Sequence, residues 1–184
     1  SANPSSTISV PEVVPFLHYP GLVSTLRSLR GHQKRDETMI KLAIVQHPPV
    51  YLDKDKSTEL ATRLIADARA ESCDMVVFPE AWLPGYPDYV WRLAAGTQMQ
   101  EMTGLFAVSQ AQSVDIARGD LTPIQRAAKE HGVVVVLGHQ EIDSTASATT
   151  LFNSVAIIDA DGKLLNNHRK LMPTAPERMV WGFG

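Results

Sequence analysis

Three short apolar runs constrain this chain more than any other feature. Leu42–Val45, Met75–Phe78 and Val133–Leu137 each hold four or five consecutive hydrophobic residues. Runs of that length without polar alternation read as buried strands. Between the first two, Leu60, Ala61, Leu64, Ile65 and Ala68 recur on one helical stripe, with Arg63, Asp67 and Arg69 facing away. That pattern predicts a helix of about four turns starting near Asp55 or Ser57. Before the third run, Thr122 and Gln125 are spaced as a capping box around Pro123 at the first helical position, and Gly132 supplies a stop with His131 in the last turn. Strand–helix–strand order, twice over, predicts an α/β fold with a parallel or mixed sheet and helices on its faces.

The remaining segments are less regular. Glu80–Asp88, with Pro84, Gly85 and Pro87, reads as an irregular loop, and Trp91–Ile116 as one or two helical pieces. Asn153–Ile158, the turn Asp159-Ala160-Asp161-Gly162 and Lys163–Asn166 read as a β-hairpin. Residues 1–38 are treated as an irregular or loosely packed extension: Pro4, Pro11, Pro15 and Pro20 interrupt them, and no apolar period is sustained. Met39, directly before the first strand pattern, is the expected start of the domain, which then runs over 39–184. Leu22–Arg30 is mildly amphipathic, but Glu12, Asp36 and Glu37 argue against an organelle-targeting peptide.

Composition narrows the function classes. A length of 184 residues with 44% hydrophobic content supports one domain with a real core. A net charge of −3 offers no basic surface for nucleic acid. No apolar run approaches the ~20 residues that cross a bilayer. A single cysteine excludes an intramolecular disulfide and suits a reducing, cytoplasmic setting. The six histidines show no H-x-x-x-H spacing, and His139 and Glu141, an H-x-E pair, lack the P-C-x-x-C half of the zinc deaminase signature. No G-x-G-x-x-G, P-loop or G-x-S-x-G occurs.

Two residues stand out for chemistry. Glu80 lies just past the C-terminal end of a buried strand, where open α/β sheets place ligands. Phe78, Pro79, Trp82, Pro84, Tyr86 and Pro87 surround it with rigid apolar groups. That setting is expected to bury the carboxylate and raise its pKa toward that of a useful general base. Lys170 follows the hairpin and, beside such an acid, would present a fixed positive charge to a developing anion.

Three blocks together resemble the nitrilase family of carbon–nitrogen hydrolases, and its true nitrilase branch most of all. They are Val77-Phe78-Pro79-Glu80-Ala81-Trp82-Leu83-Pro84-Gly85-Tyr86-Pro87, Leu151-Phe152-Asn153-Ser154 leading to Asp161-Gly162, and His168-Arg169-Lys170-Leu171-Met172-Pro173-Thr174-Ala175-Pro176-Glu177-Arg178 with Val180-Trp181-Gly182. The resemblance spans Met39 to Gly184. It implies an α–β–β–α sandwich of two sheets with helices outside, and a Glu–Lys–Cys triad without metal or organic cofactor. Glu80 would match the general base, Lys170 the residue stabilising the tetrahedral intermediate, and Glu177 a second glutamate orienting lysine and substrate. Trp82, Tyr86 and Trp181 are candidates for lining the pocket, with ordinary packing as the competing role.

The resemblance further implies a nitrile or amide substrate, hydrolysed through a thioimidate and an acyl-enzyme. It implies dimers or larger spirals of the full-length protein. Aliphatic amidases, carbamoylases and cyanide hydratases are the rival activities, and the Pro173-Thr174-x-x-Glu177-Arg178-x-x-Trp181-Gly182 run favours the nitrilase side. The family's nucleophile, usually in Cys-Trp-Glu, follows a further strand beyond the lysine segment. Cys73 is no substitute: it lies seven residues before Glu80 on the same strand, roughly 20 Å away at ~3.3 Å per residue. The expectation is an N-terminal portion of the domain without a nucleophile, with the inner face of its sheet uncovered. A shortened pseudoenzyme that associates with a full-length relative is the non-enzymatic alternative.

Overall fold

A computed structural model describes residues 40–94 and 96–184. The expected extension over 1–38, and Met39 with it, lie outside the described residues. One five-stranded mixed sheet organises the rest: β1 (Leu42–Ile44), β2 (Met75–Val77), β3 (Val134–Asp143), β4 (Ser147–Ile158) and β5 (Leu164–Arg169), in that spatial order. β1, β2 and β3 run parallel, and β3, β4 and β5 antiparallel. The parallel half is joined by helical crossovers containing α1 (Lys54–Ala70) and α4 (Thr122–His131), with α2 (Tyr89–Arg92) and α3 (Met99–Ala111) inserted after the Glu80 loop.

α1 starts where Asp53 accepts the Lys56 amide at 3.0 Å, slightly ahead of the expected start. Its stripe of Ala61, Leu64, Ile65 and Ala68 is buried with Ile124, Ala127 and Ala128 of α4 against Ala43, Val76, Val135, Leu137, Ala156 and Ile158 of the sheet. Alternation along the strands puts those six residues on one face. The other face presents Leu42, Ile44, Met75, Val77, Val134, Val136, Val155 and Ile157, all half-buried except Ile44, which is exposed.

The Thr122–Gln125 capping box does not form. Leu121 occupies the N-cap position of α4 without a side-chain cap, and Thr122 and Pro123 open the helix. The chain enters through a tight turn, with the Thr122 amide on the Gly119 carbonyl at 2.9 Å, and Leu121 is drawn into the core at 2% exposure. Gln125 instead donates to the Gly162 carbonyl at 3.0 Å, tying α4 to the β4–β5 turn. Gly132 ends the helix in the left-handed region at φ +63°, as its position predicts.

β3 is twice as long as the apolar run that announces it, and β4 begins six residues before the expected Asn153. Beyond Leu137 the strand carries Gly138 and then the polar residues His139, Gln140 and Glu141, which read as a strand end. His139 and Glu141 are buried against polar partners on β4 and β5, and Gln140 against Ser109, Ser113 and Trp181. Glu141 accepts from Ser154 Oγ at 2.6 Å, Asn167 Nδ2 at 2.8 Å and Arg169 Nε at 3.0 Å, and Arg169 also binds Asp143 at 2.8 Å. Burial pushes the Glu141 carboxyl up, but Arg169, Ser154 and Asn167 outweigh it and hold it below its ordinary value.

Candidate active site

The Glu80 loop is a bulge clamped at both ends onto β3. Phe78 donates its amide to the Val136 carbonyl at 2.8 Å, Leu83 donates to Gly138 at 3.1 Å, and Gln140 returns a bond to Leu83 at 2.8 Å. Between those anchors Pro79–Trp82 rises off the sheet, and Ala81 takes a left-handed φ of +47° to make the turn. The loop sits directly on Gly138. A Cβ there would lie 2.1 Å from the Pro79 carbonyl oxygen and 2.9 Å from Glu80 Cα, so only glycine allows this approach.

Lys170 arrives from the end of β5, its amide bonded to the Asn153 carbonyl of β4 at 2.8 Å. Its ammonium lies 2.9 Å from Glu80 Oε1, and 3.2 Å and 3.0 Å from the two oxygens of Glu177. Partial burial works against the Lys170 charge, yet the two carboxylates overcome it and raise its pKa. Asn153 completes the cluster, donating Nδ2 to Glu80 Oε1 at 2.7 Å. Glu80, Lys170 and Glu177 are 90 and 7 residues apart in pairs along the chain, and the fold brings all three together.

Glu177 sits in the 3-10 turn Ala175–Met179, where it forms a capping box with Thr174. It accepts from the Thr174 amide at 2.7 Å, the Thr174 hydroxyl at 2.9 Å and the Tyr86 hydroxyl at 2.8 Å. Burial pushes its carboxyl up, but the Thr174 amide, the Lys170 ammonium, the Tyr86 hydroxyl and the Thr174 hydroxyl pull it down to about 2. Glu177 is therefore a permanent anion at neutral pH.

The expected burial falls on the wrong glutamate. Glu80's side chain is 53% exposed and Glu177's 4%. The apolar groups around Glu80 in sequence turn elsewhere. Phe78 and Trp82 pack on each other with ring centres 4.8 Å apart, and Trp82 Nε1 donates to the His47 carbonyl at 2.7 Å. Trp82 is thus a core residue, parted from the other two pocket candidates. Tyr86 reaches the site through Glu177. Trp181 stands behind Tyr86, edge-on at 5.4 Å, with its indole N–H on Gln140 Oε1 at 2.9 Å.

Three contributors escape a reading of the chain alone. Asn153 lies within a recognisable block, but its contact with Glu80 crosses 73 residues. Gly138 carries a weak signal, a glycine interrupting a strand pattern. Thr174 has the spacing of a helix cap, three residues before Glu177. The H-x-E pair is structural: His139 is fully buried, with Nε2 at 2.8 Å from Asn167 Oδ1. Cys73 is also fully buried, in the helix-covered core.

With the family profile for carbon–nitrogen hydrolases matching residues 41–184, this chain belongs to that family. It is 35% identical over 145 residues to an arylacetonitrilase of Aspergillus niger, covering 79% of this chain and 40% of that protein. It is 33% identical to an aliphatic nitrilase of Rhodococcus rhodochrous (78% and 37% covered) and 31% identical to a cyanide hydratase of Alternaria brassicicola (80% and 38% covered). The chain thus spans about two-fifths of the length of these curated relatives. Its fold matches an amidase of the nitrilase superfamily from Nesterenkonia, with a TM-score of 0.57 at 14% identity over 80% of this chain and 50% of that one. The mixed sheet with its helices is the α/β fold of that superfamily.

Proposed function

We propose that this chain is the N-terminal part of a nitrilase, which hydrolyses a nitrile to a carboxylic acid and ammonia through a cysteine nucleophile lying beyond Gly184. The observation that carries the reading is the Lys170 ammonium held between Glu80 and Glu177 at 2.9 and 3.0 Å. Glu80, the more exposed of the two, takes the thiol proton and later activates water. The thiolate adds to the nitrile carbon to give a thioimidate. Water then releases ammonia, and a second water cleaves the acyl-enzyme. Lys170 stabilises the charge that develops at the substrate, and Glu177, ionised throughout, holds Lys170 charged and oriented. Tyr86 positions Glu177 and, with Trp181 behind it, forms one wall of the pocket.

The site stands at one end of the apolar sheet face, because Asn153 and Gln140 share that face with Val136 and Ile157 in the β3–β4 register. A second sheet laid on this face would complete the sandwich and bring its own residues to Glu80. The whole protein is a homo-oligomer in this reading, a dimer or larger spiral, in the cytoplasm. The 184-residue chain alone releases no ammonia from nitriles. Ammonia release abolished by Cys73→Ala would refute that statement.

Relatives named for nitrile hydrolysis and for cyanide hydration match this chain about equally. Product analysis therefore decides between acid and amide. The test begins with the gene and transcript beyond the Gly184 codon, followed by turnover of a nitrile and amide panel by the encoded protein. Acid and ammonia from nitriles support the reading, and amide as the sole product moves the protein to the hydratase side. A stop codon directly after Gly184 refutes catalysis by this chain and leaves the pseudoenzyme that associates with a full-length relative.

A further inference from the structure

Glu80 receives two hydrogen bonds, and both fall on the same oxygen. Asn153 Nδ2 donates to Oε1 at 2.7 Å and Lys170 Nζ donates to Oε1 at 2.9 Å. Among the described residues, Oε2 receives no donor. Asn153 is 6% exposed and sits within β4, where its own carbonyl accepts the Lys170 amide at 2.8 Å. One buried residue therefore grips Glu80 through its side chain and Lys170 through its main chain. On the other side of Glu80 the loop backbone rests on Gly138. Glu80 is thus fixed at its main chain by the approach to Gly138 and at Oε1 by two donors, although its side chain is half open to solvent.

We infer that Asn153 is a positioning residue for the base: with Lys170 it fixes Glu80 Oε1 and leaves Oε2 as the oxygen that takes the proton. The inference rests on the nitrilase reading above and adds to it which oxygen acts and what aims it. In the step concerned, the thiol S–H bond breaks and its proton goes to Glu80 Oε2. The electron pair stays on sulfur as thiolate, and Glu80 becomes a neutral carboxylic acid still holding Asn153 and Lys170 on Oε1. Without the Asn153 donor the carboxylate can rotate about its terminal torsion, which is soft, and the fraction of correctly aimed conformers falls.

The test uses the protein encoded by the complete reading frame, with variants Asn153→Ala and Asn153→Asp. The second keeps the shape but puts a carboxylate oxygen where the N–H donor was. Both variants are expected to lower kcat roughly ten- to hundredfold with KM within about twofold. Alkylation of the reactive thiol by iodoacetamide should slow in parallel. Asn153→Asp should be no better than Asn153→Ala, since it sets a like charge beside Glu80. Selective 15N labelling of asparagine reads the contact itself: the side-chain amide pair lost in Asn153→Ala should shift on Glu80→Gln. Activity retained by Asn153→Asp, or an Asn153 amide indifferent to Glu80→Gln, overturns the inference. If the parent turns over no nitrile or amide but its thiol is alkylated in an Asn153-dependent way, the functional reading fails and the positioning role stands.

Discussion

At Glu177, four donor groups converge on a carboxylate that is 4% exposed. Its folded pKa of about 2 lies below the ordinary 4.5. A depressed carboxyl contributes stability above the ordinary value and loses it as pH falls through the folded one. Stability linked to Glu177 should therefore disappear between about pH 4.5 and 2. Urea unfolding across that window should show a shallower pH slope in Glu177→Gln than in the parent, and equal slopes would refute the assignment. Gly138 makes a second prediction at this scale. A methyl group 2.1 Å from a backbone oxygen cannot be absorbed by a rotamer change. Gly138→Ala should cost about 1–3 kcal/mol, as overpacking does, and should displace Glu80. On the proposed function, turnover by the protein encoded by the complete reading frame should fall well beyond what the stability loss explains. Denaturation and kinetics on one preparation check both parts.

Among the elements, β3, β4 and β5 are joined by a polar cluster in addition to their ladders. Arg169 lies over the Phe152 ring at 4.0 Å and binds both Glu141 and Asp143. Removing one partner of a buried pair leaves an uncompensated charge, and Glu141 is 5% exposed. Arg169→Met should cost about 3 kcal/mol, and Arg169→Met with Glu141→Leu should cost less than the sum of the single changes, in a double-mutant cycle read by chemical denaturation. Additive costs would show that the pair is not coupled. For α1, Asp53→Ala removes the side chain that accepts the Lys56 amide and should lower stability in the same measurement, whereas Asp53→Asn, which keeps an accepting oxygen, should lower it less. These elements were legible to different degrees. α1 and the parallel strands follow from periodicity, because helix stripes and buried runs are local patterns. The second half of β3 does not, because Gln140 and Glu141 read as solvent-facing until Ser109, Ser154, Asn167 and Arg169 are placed around them.

For the molecule as a whole, the dominant feature among the described residues is the unequal packing of the two sheet faces: helices cover one face along its length, whereas the other is packed only at its far end, where Leu151 is buried with Tyr89, Met102, Val180 and Trp181. The helices cover Ala43, Val76, Val135, Leu137, Ala156 and Ile158, while the eight apolar residues from Leu42 to Ile157 on the other face stay partly open. Monomeric proteins rarely leave a contiguous apolar surface of this kind. The 184-residue chain prepared by itself should enhance the fluorescence of a hydrophobic dye and self-associate. Val77→Lys together with Ile157→Lys should weaken both effects. A dispersed chain that leaves the dye dark would show that the face is covered.

What the chain determines on its own is local: the α/β alternation, the apolar stripe of α1, the Gly132 stop of α4, and Glu80, Lys170 and Glu177 as candidate residues within recognisable blocks. Each depends on neighbours a few residues away, or on a motif read in order. What only the tertiary structure decides is which glutamate is buried, which oxygen of Glu80 is gripped, why position 138 is glycine, and that Trp82 belongs to the core while Tyr86 belongs to the site. Those outcomes depend on groups 35 to 91 residues apart meeting in the fold. Burial and hydrogen bonding are set by the atoms that surround a side chain, and chain order specifies those atoms only after the sheet has brought its distant strands together.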